Sequence, residues 1–278
     1  MNLKKNRANF IPLTPIDFLK RTAKIFPNYT SLISETKKFT WGQTFTRCNL
    51  LASSLIKKKI KKGDVVSIMA PNTTAMYEAH FGIPMMGAIL NTINIRLDAK
   101  TISHIIGHSK TKIIFVDTEF LRVIRTALKI SKKKITIIAI KDDNKYSKNI
   151  IKEQLYEDFL KKGSKLSTSN FRIKDEWTPI SLSYTSGTTN KPKGVVTHHR
   201  GAYLNAVSNQ LTWNMKKNPT YLWTLPMFHC NGWCFPWTIA ALAGKNICMR
   251  KVSSKLIFKL IKKYNVSHLC GTTVIINL

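Results

Sequence analysis

The segment ISLSYTSGTTNKPKGVV, residues 180–196, carries the most informative pattern in this 278-residue chain. An apolar run of strand length leads into small and hydroxyl residues, and a second apolar run follows a lysine. Gly187 lets the backbone approach a ligand closely, and Lys193 supplies a positive charge. Hydroxyl and backbone N–H donors of this kind suit phosphate oxygens. The loop hydroxyls belong to Thr185, Ser186, Thr188 and Thr189. The segment predicts a strand, a phosphate-binding loop and then more extended chain.

The spacing differs from that of the common nucleotide loop GxxxxGK[ST]. Lys193 lies six residues after Gly187, as the lysine of that motif does, but Pro192 replaces the second glycine and Gly194 replaces the hydroxyl residue. Proline stiffens the turn. Because a strand rather than a helix follows, we expect the loop to hold phosphates with little help from a helix dipole.

Outward from this segment, helical and strand-like periodicities alternate. Thr40 and Gln43 have the spacing of a capping box, which predicts a helix over 41–58, and a strand over 65–70 precedes a helix over 74–90. Further strands are predicted at 112–117, 135–140, 180–185, 221–226, 246–250 and 266–270. This alternation predicts an α/β fold with mostly parallel sheets flanked by helices. The polar stretch 141–170 is predicted to connect two subdomains.

The composition is that of a globular chain with an unusual excess of positive charge. Hydrophobic residues make up 44%, and the formal net charge is +31. No apolar run reaches the length of a membrane span, and five scattered cysteines favour free thiols, so we expect a soluble intracellular protein. Lysine runs such as 57–62 lie at the ends of apolar segments. We attribute the excess of positive charge to an A/T-biased gene. Binding to nucleic acid or an anionic membrane surface stays an alternative.

The string YTSGTTNKPKG, residues 184–194, resembles the signature loop YTSGTTGxPKG of the adenylate-forming superfamily. A Ser/Thr/Gly surface turn would account for only one or two of these residues. The resemblance implies that the loop grips ATP phosphates while a substrate carboxylate attacks the α-phosphate. It implies that Lys193 is catalytic and that Thr185, Ser186, Gly187, Thr188, Thr189 and Lys193 bind ATP. Asn190 replaces the usual glycine, and it is predicted to have positive φ because asparagine tolerates that region.

A second string, TLPMFHCNGW at 224–233, resembles the aromatic and histidine motif that borders the acyl site in this superfamily. The resemblance implies that His229 orients the substrate carboxylate. The alternative is a buried histidine that binds a backbone carbonyl. A zinc site is a further alternative, because three possible ligands lie close together in the sequence: His229, Cys230 and Cys234. No fourth ligand lies at a conventional spacing.

The resemblance extends over the whole chain. The strings FIPLTPIDFLKRTAKIFPN, APNTTAMYEAHFGIPMMGAILNTINIRLD and HHRGAYLNA are similar to those of plant acyl-activating enzymes that resemble butyrate-CoA ligase. This implies conversion of a carboxylic acid, of the fatty-acid class, to acyl-CoA with ATP, Mg²⁺ and coenzyme A. CGTTV at 270–274 departs from the Cys-Gly-Ala-Pro pattern of this branch and alters one wall of the expected acyl pocket.

Motifs for adenine, magnesium and ribose, and a small C-terminal domain, follow the matched region in the superfamily. We therefore expect residues 1–278 to be a truncated, partial adenylation domain with the C-terminal domain absent, unable to complete the reaction alone. Two alternatives stay open: the C-terminal half is encoded separately, or the chain is an inactive remnant. The location is expected to be cytoplasmic or peroxisomal, although the final Ile-Asn-Leu is not a peroxisomal signal.

Overall fold

The fold is seen in a computed structural model that describes residues 4–6, 8–35, 37–142, 150–167, 172–185 and 191–273. The helices are α1 (Ile16–Ile25), α2 (Trp41–Lys57), α3 (Thr74–Met85), α4 (Ala99–His108), α5 (Leu121–Ser131), α6 (Tyr156–Lys161), α7 (His199–Thr212), α8 (Phe235–Ala241) and α9 (Ser254–Tyr264). The strands are β1 (Thr30–Ile33), β2 (Lys38–Thr40), β3 (Val65–Met69), β4 (Ile89–Thr92), β5 (Ile113–Asp117), β6 (Thr136–Ile140), β7 (Gln154–Leu155), β8 (Pro179–Thr185), β9 (Lys193–His198), β10 (Thr220–Trp223), β11 (Lys245–Cys248) and β12 (His268–Leu269).

The described strands form two sheets. Sheet A has five strands in the order β12-β10-β11-β1-β2, and sheet B has seven in the order β7-β6-β5-β3-β4-β8-β9. Pairing is parallel except for β1 with β2 and β8 with β9. The predicted α/β class with mostly parallel sheets is confirmed. No helix among the described residues is long and apolar enough to cross a membrane.

The side chains of each sheet divide between two cores, so the molecule has five layers. In β5, Phe115 packs into the core shared with sheet A, whereas Ile114 and Val116 pack against α4 and α5 on the outside. A third core joins Ile257 of α9 to the outer face of sheet A. Buried parallel strands need helices on both faces, and this requirement gives the order helix, sheet, helix, sheet, helix.

Two of the sequence predictions concern where a helix begins or ends. The capping box is confirmed: the Thr40 side chain accepts from the Gln43 N–H, and the Gln43 side chain accepts from the Thr40 N–H. The helix predicted over 74–90 is wrong in its second part, because α3 ends at Met85 and residues 89–92 form β4. Gly87, at φ 88°, turns the chain between them.

Residues 141–170 connect β6 and β8, which lie in the same sheet. The described part of the stretch contains β7, which pairs with β6, and the short helix α6. The stretch also packs against α2, where Ser54 Oγ donates to the Phe159 carbonyl at 2.7 Å. The subdomain boundary expected here stays a prediction.

Helix α3 crosses the central layer, and all of its residues are buried. A helix that is enclosed on every side must satisfy its polar groups internally. Glu78 does so by accepting from Arg47 and from the Tyr156 hydroxyl, the latter at 2.7 Å. Burial raises the pKa of Glu78, and the Arg47 guanidinium opposes that shift. The charge of Arg47 is thus shared by Glu78 and the half-buried Glu157.

A second buried ion pair joins the two sheets at the carboxyl ends of their strands. Arg250 follows β11 of sheet A, and Asp117 is the last residue of β5 in sheet B. The guanidinium donates to both carboxylate oxygens of Asp117, at 2.7 and 3.0 Å. Asp142, which follows β6, lies 3.6 Å from Arg250 and 3.4 Å from Lys37. The pair therefore ties one edge of sheet A to the matching edge of sheet B.

Replacing Arg250 should destabilise the fold strongly. Arg250→Met leaves the carboxylate of Asp117 buried without its bidentate partner, which typically costs about 3–5 kcal/mol. The free energy of unfolding from urea titration measures this cost. Lys20→Met, which removes a partly exposed pair with Asp17 on α1, is the control and should cost less than about 1 kcal/mol. Equal losses in the two variants would contradict the assignment.

Acidification should also reduce stability, because two histidines are buried in the neutral form. Burial lowers the pKa of His80 and of His199 to about 4. The unfolded chain, with histidine pKa near 6.5, then binds more protons between about pH 6.5 and 4, so stability falls as the pH falls. From pH 7.5 to 5.5 each histidine should cost roughly 1.4 kcal/mol.

Urea titrations at both pH values measure this loss. His80→Gln should make the loss smaller by about one histidine's share. An unchanged difference between the two pH values in that variant would show that His80 is not the group responsible.

Candidate functional site

Two predicted ligand-binding residues face each other across the β8–β9 hairpin. Thr185 is the last residue of β8, Lys193 is the first of β9, and the two are paired in the antiparallel register. Both are exposed. The strand predicted after the loop is confirmed, since helix α7 begins only at His199. The remaining predicted residues, Ser186, Gly187, Thr188 and Thr189, lie outside the described residues, as does Asn190 with its predicted positive φ.

The hairpin opens at the carboxyl edge of sheet B. Strands β3, β4 and β8 run parallel, so Met69, Thr92 and Thr185 end at the same edge. Open α/β sheets bind their ligands outside the carboxyl ends of the strands. The exposed Lys193 ammonium therefore stands where an anionic ligand is expected.

Tyr184 fixes the end of β8 next to the loop. Its hydroxyl lies 2.7 Å from Nδ1 of His108 on α4. Burial raises the pKa of Tyr184, so the phenol stays protonated. The end of β8, directly before the loop, is thus held to the outer helical layer.

The segment that contains His229 comes from sheet A and packs against sheet B. It follows β10 as a tightly turned stretch, His229–Cys234, whose interior residues do not have right-handed helical φ and ψ. The amide of Asn231 donates to Thr92 Oγ1 at 3.0 Å and to the Leu182 carbonyl of β8 at 3.4 Å. Thr92 Oγ1 in turn donates to the Phe228 carbonyl at 2.8 Å. The fold therefore brings the histidine segment beside the strand that leads into the phosphate loop.

The backbone of this segment is strained. Five consecutive residues have left-handed φ values between 41° and 63°, namely Cys230, Asn231, Gly232, Trp233 and Cys234. Only glycine adopts this region freely, and strain of this kind is concentrated at ligand-binding and catalytic sites. The run turns Asn231 into the protein and leaves half of Trp233 exposed, at 50%.

His229 is exposed, and its ring meets that of Trp233 edge to face at 6.2 Å between centroids. The alternative of a buried histidine bound to a backbone carbonyl is therefore wrong. Cys230 Sγ lies 3.8 Å from Nδ1 of His229. The rings of His229 and Trp233 and the thiol of Cys230 together form a surface that can contact an apolar ligand.

The environment of Cys234 does not suit a zinc ligand. This thiol is buried, accepts from Asn205 and has its pKa raised by burial to about 11, so it stays protonated. Zinc binds the thiolate form. Over the described residues, no group of three or more His, Cys, Asp and Glu side chains could hold a metal ion.

Asn72 is a site residue that the sequence interpretation missed. It follows β3, is 5% exposed, and donates to the carbonyls of Trp223 at 3.0 Å and Leu225 at 2.9 Å. Its Oδ1 accepts from the Met227 N–H at 2.8 Å. The only sequence signal was an asparagine directly after a buried strand. Asn72 holds the chain that leads to His229 against the edge of sheet B.

Comparison with known proteins adds a family and a fold. The AMP-binding enzyme family matches residues 19–278. A peroxisomal butyrate-CoA ligase of Arabidopsis thaliana is 50% identical over 282 residues, covering 98% of this chain and 49% of that protein. A peroxisomal benzoate-CoA ligase of the same plant is 49% identical, covering 98% of this chain and 48% of its own. The chain spans about half the length of the curated relatives it matches.

Two solved structures show the same fold at lower identity. The N-terminal domain of FACL13 from Mycobacterium tuberculosis has a TM-score of 0.82 at 23% identity, covering 95% of this chain and 64% of its own. The O-succinylbenzoate coenzyme A synthetase of Bacillus subtilis, solved with ATP and magnesium, has a TM-score of 0.76 at 19% identity, covering 94% and 64%.

Removing the Asn72 amide should loosen the histidine segment. Asn72→Ala leaves three backbone groups between Trp223 and Met227 without their partner, at an expected cost of about 3 kcal/mol. Amide hydrogen exchange should accelerate in residues 224–234, and urea titration should show the loss. Asn94→Ala, which removes a partly buried amide oxygen that accepts from the Arg96 N–H, is the control and should change neither. Unchanged exchange in the Asn72 variant would contradict its positioning role.

Proposed function

Because the chain belongs to the AMP-binding enzyme family, we propose that it supplies the phosphate-binding loop and part of the acyl pocket of an ATP-dependent acid–thiol ligase. The observation that carries the proposal is the hairpin register, which sets Thr185 opposite Lys193 at the carboxyl edge of sheet B. The anchored segment of His229 lies beside it. The ligases for butyrate and benzoate among the relatives support the reaction class.

The first step joins two anions, the carboxylate of the acid and the triphosphate of ATP. A carboxylate oxygen forms a bond to the α-phosphorus, and the bond from that phosphorus to the β-phosphate oxygen breaks, releasing pyrophosphate. No proton needs to move. The protein's task is to neutralise charge and align the reactants in line. Lys193 supplies a cation to the phosphates, and the loop hydroxyls donate hydrogen bonds.

The second step transfers the acyl group to coenzyme A. The thiolate sulfur attacks the acyl carbonyl carbon, and the carbon–oxygen bond to AMP breaks. We propose that His229 orients the carboxylate in the first step, since its exposed ring lies on the segment nearest the loop strand. None of the side chains described at this site is a carboxylate, so the residues that would hold Mg²⁺ are not among them.

We propose a fatty acid as the substrate class, with its apolar part against the rings of His229 and Trp233. The Thr224 hydroxyl donates to the Cys270 carbonyl. This bond joins the histidine segment to the divergent CGTTV string, which would form one wall of the pocket. The peroxisomal relatives favour a peroxisome over the cytoplasm as the location.

The exposed apolar side chains around the site indicate where the rest of such an enzyme would pack. Strand β9 lies at one edge of sheet B as described here, with Val195 49% and Val196 59% exposed. On α7, Leu211 is 73% exposed. A strand at the edge of a sheet is often covered by another element. Since the chain spans about half the length of its relatives, we propose that the remaining half, in the same polypeptide or separately encoded, covers it.

Replacing Lys193 tests the assignment. One charge-assisted contact is worth about 1.5–3 kcal/mol, so Lys193→Ala should weaken ATP binding by roughly ten-fold to a hundred-fold. Calorimetry with ATP measures the affinity. Lys216→Ala, an exposed lysine on the α7–β10 connection, is the control and should bind as the parent does. Equal affinities of the Lys193 variant and the parent would exclude the loop as the phosphate site.

A further inference from the structure

A cavity lies at the end of sheet B opposite to the phosphate loop. Its volume is about 470 Å³. Its wall includes Gly63, before β3, Gly87, before β4, and Pro179, the first residue of β8. Strand β8 has seven residues, and at about 3.3 Å per residue it separates Pro179 from Thr185 by roughly 20 Å. This cavity is therefore distinct from the site of Lys193 and His229.

The floor of the cavity is apolar and neutral. Met85 is 1% exposed and Met86 is 5% exposed. His199, 1% exposed, also lines it and bonds through Nδ1 to the Thr14 hydroxyl at 2.8 Å. Because burial lowers the pKa of His199 to about 4, the imidazole carries no charge near neutral pH. Methionine side chains adapt to irregular apolar ligands.

The rim of the cavity is positively charged. Lys62, Arg172 and Lys174 line it and are exposed. None of the three forms an ion pair with a carboxylate in the part of the chain that the structure describes. Asp175 is the one carboxylate among the lining residues, and its Oδ1 accepts from the Trp177 N–H. Three cations against one anion leave the rim with a net charge of +2.

The path of Lys62 along the wall depends on a glycine. A Cβ on Gly87 would come within 2.9 Å of Cγ of Lys62. The positive φ of Gly87, 88°, is the same feature that turns the chain from α3 into β4. The turn that shapes sheet B thus also makes room for a cationic side chain over the cavity.

We propose that this cavity binds an amphipathic anion, an alkyl chain that ends in a carboxylate or phosphate group. The apolar body would lie on Met85 and Met86, and the anionic head would lie between Lys62, Arg172 and Lys174. The volume is in the range of small-molecule sites, which are mostly apolar with a few polar groups that fix orientation. Burial of the chain provides affinity, and the cations set its direction.

Octyl phosphate is the probe, and calorimetry on the complete protein measures its binding. Octanol lacks the anionic head and inorganic phosphate lacks the alkyl chain. Each should therefore bind at least about ten-fold more weakly than octyl phosphate. The double variant Arg172→Glu with Lys174→Glu should weaken octyl phosphate by at least about five-fold, since exposed charge contacts contribute modestly. The control is the double variant Lys133→Glu with Lys134→Glu. It makes the same charge change at exposed lysines before β6, outside the cavity, and should leave binding unchanged.

Two further measurements separate this cavity from the phosphate loop. Met86→Trp fills the floor and should abolish binding, while Lys193→Ala should leave it intact, and ATP should not compete. Competition by ATP, or loss of binding in the Lys193 variant, would place the probe at the loop and overturn the proposal. Parent-like binding in the Arg172/Lys174 double variant would overturn it as well, whether or not Met86→Trp folds.

Discussion

The site depends on one geometric constraint: two separate parallel sheets must meet at the carboxyl ends of their strands. Arg250 and Asp117 satisfy it on one side of the site, because a buried guanidinium can donate to both carboxylate oxygens only when the ends of β11 and β5 lie close together. Asn72 satisfies it at the end of the neighbouring strand β3 by bonding the chain after β10. Beyond Asn72, at β4 and β8, the histidine segment reaches the strand that leads into the loop. The loop chemistry is local, but its surroundings are assembled from both sheets.

Buried polar groups give this central layer its specificity. Glu78, enclosed on α3, depends on Arg47 from α2 and Tyr156 from α6, so three helices must be in register before the carboxylate is satisfied. A purely apolar contact would tolerate sliding, whereas an unpaired buried carboxylate would not. The chain has few acidic residues, 14 against 45 lysines and arginines, and several of them serve in these buried pairs. Its surface is left with the surplus of positive charge.

The features that sequence analysis anticipated are those whose cause is local. The extended segments on both sides of the loop and the capping box at Thr40 depend on neighbouring residues, and both could be predicted from the local sequence, whereas the antiparallel pairing of β8 with β9 was not predicted. Strand β4 was missed because its apolar residues continue the periodicity of α3, and only the backbone of Gly87 separates them. The clamp by Asn72 joins residues about 150 positions apart, and no periodicity encodes that partnership. The left-handed run could not be foreseen either, because four of its five residues are not glycine.

The left-handed run from Cys230 to Cys234 also bears on how such a site can diversify. Its shape is maintained from beneath by amide contacts of Asn231 with Thr92 and Leu182. The side chains that face outward, His229 and Trp233, take no part in those contacts. Substitution of Trp233 can therefore alter the outward surface without refolding the segment, while exchange of Asn231 would release it. On the proposed function, the scaffold and the ligand contacts would thus be carried by different residues of one short segment, which lets selection alter one and preserve the other.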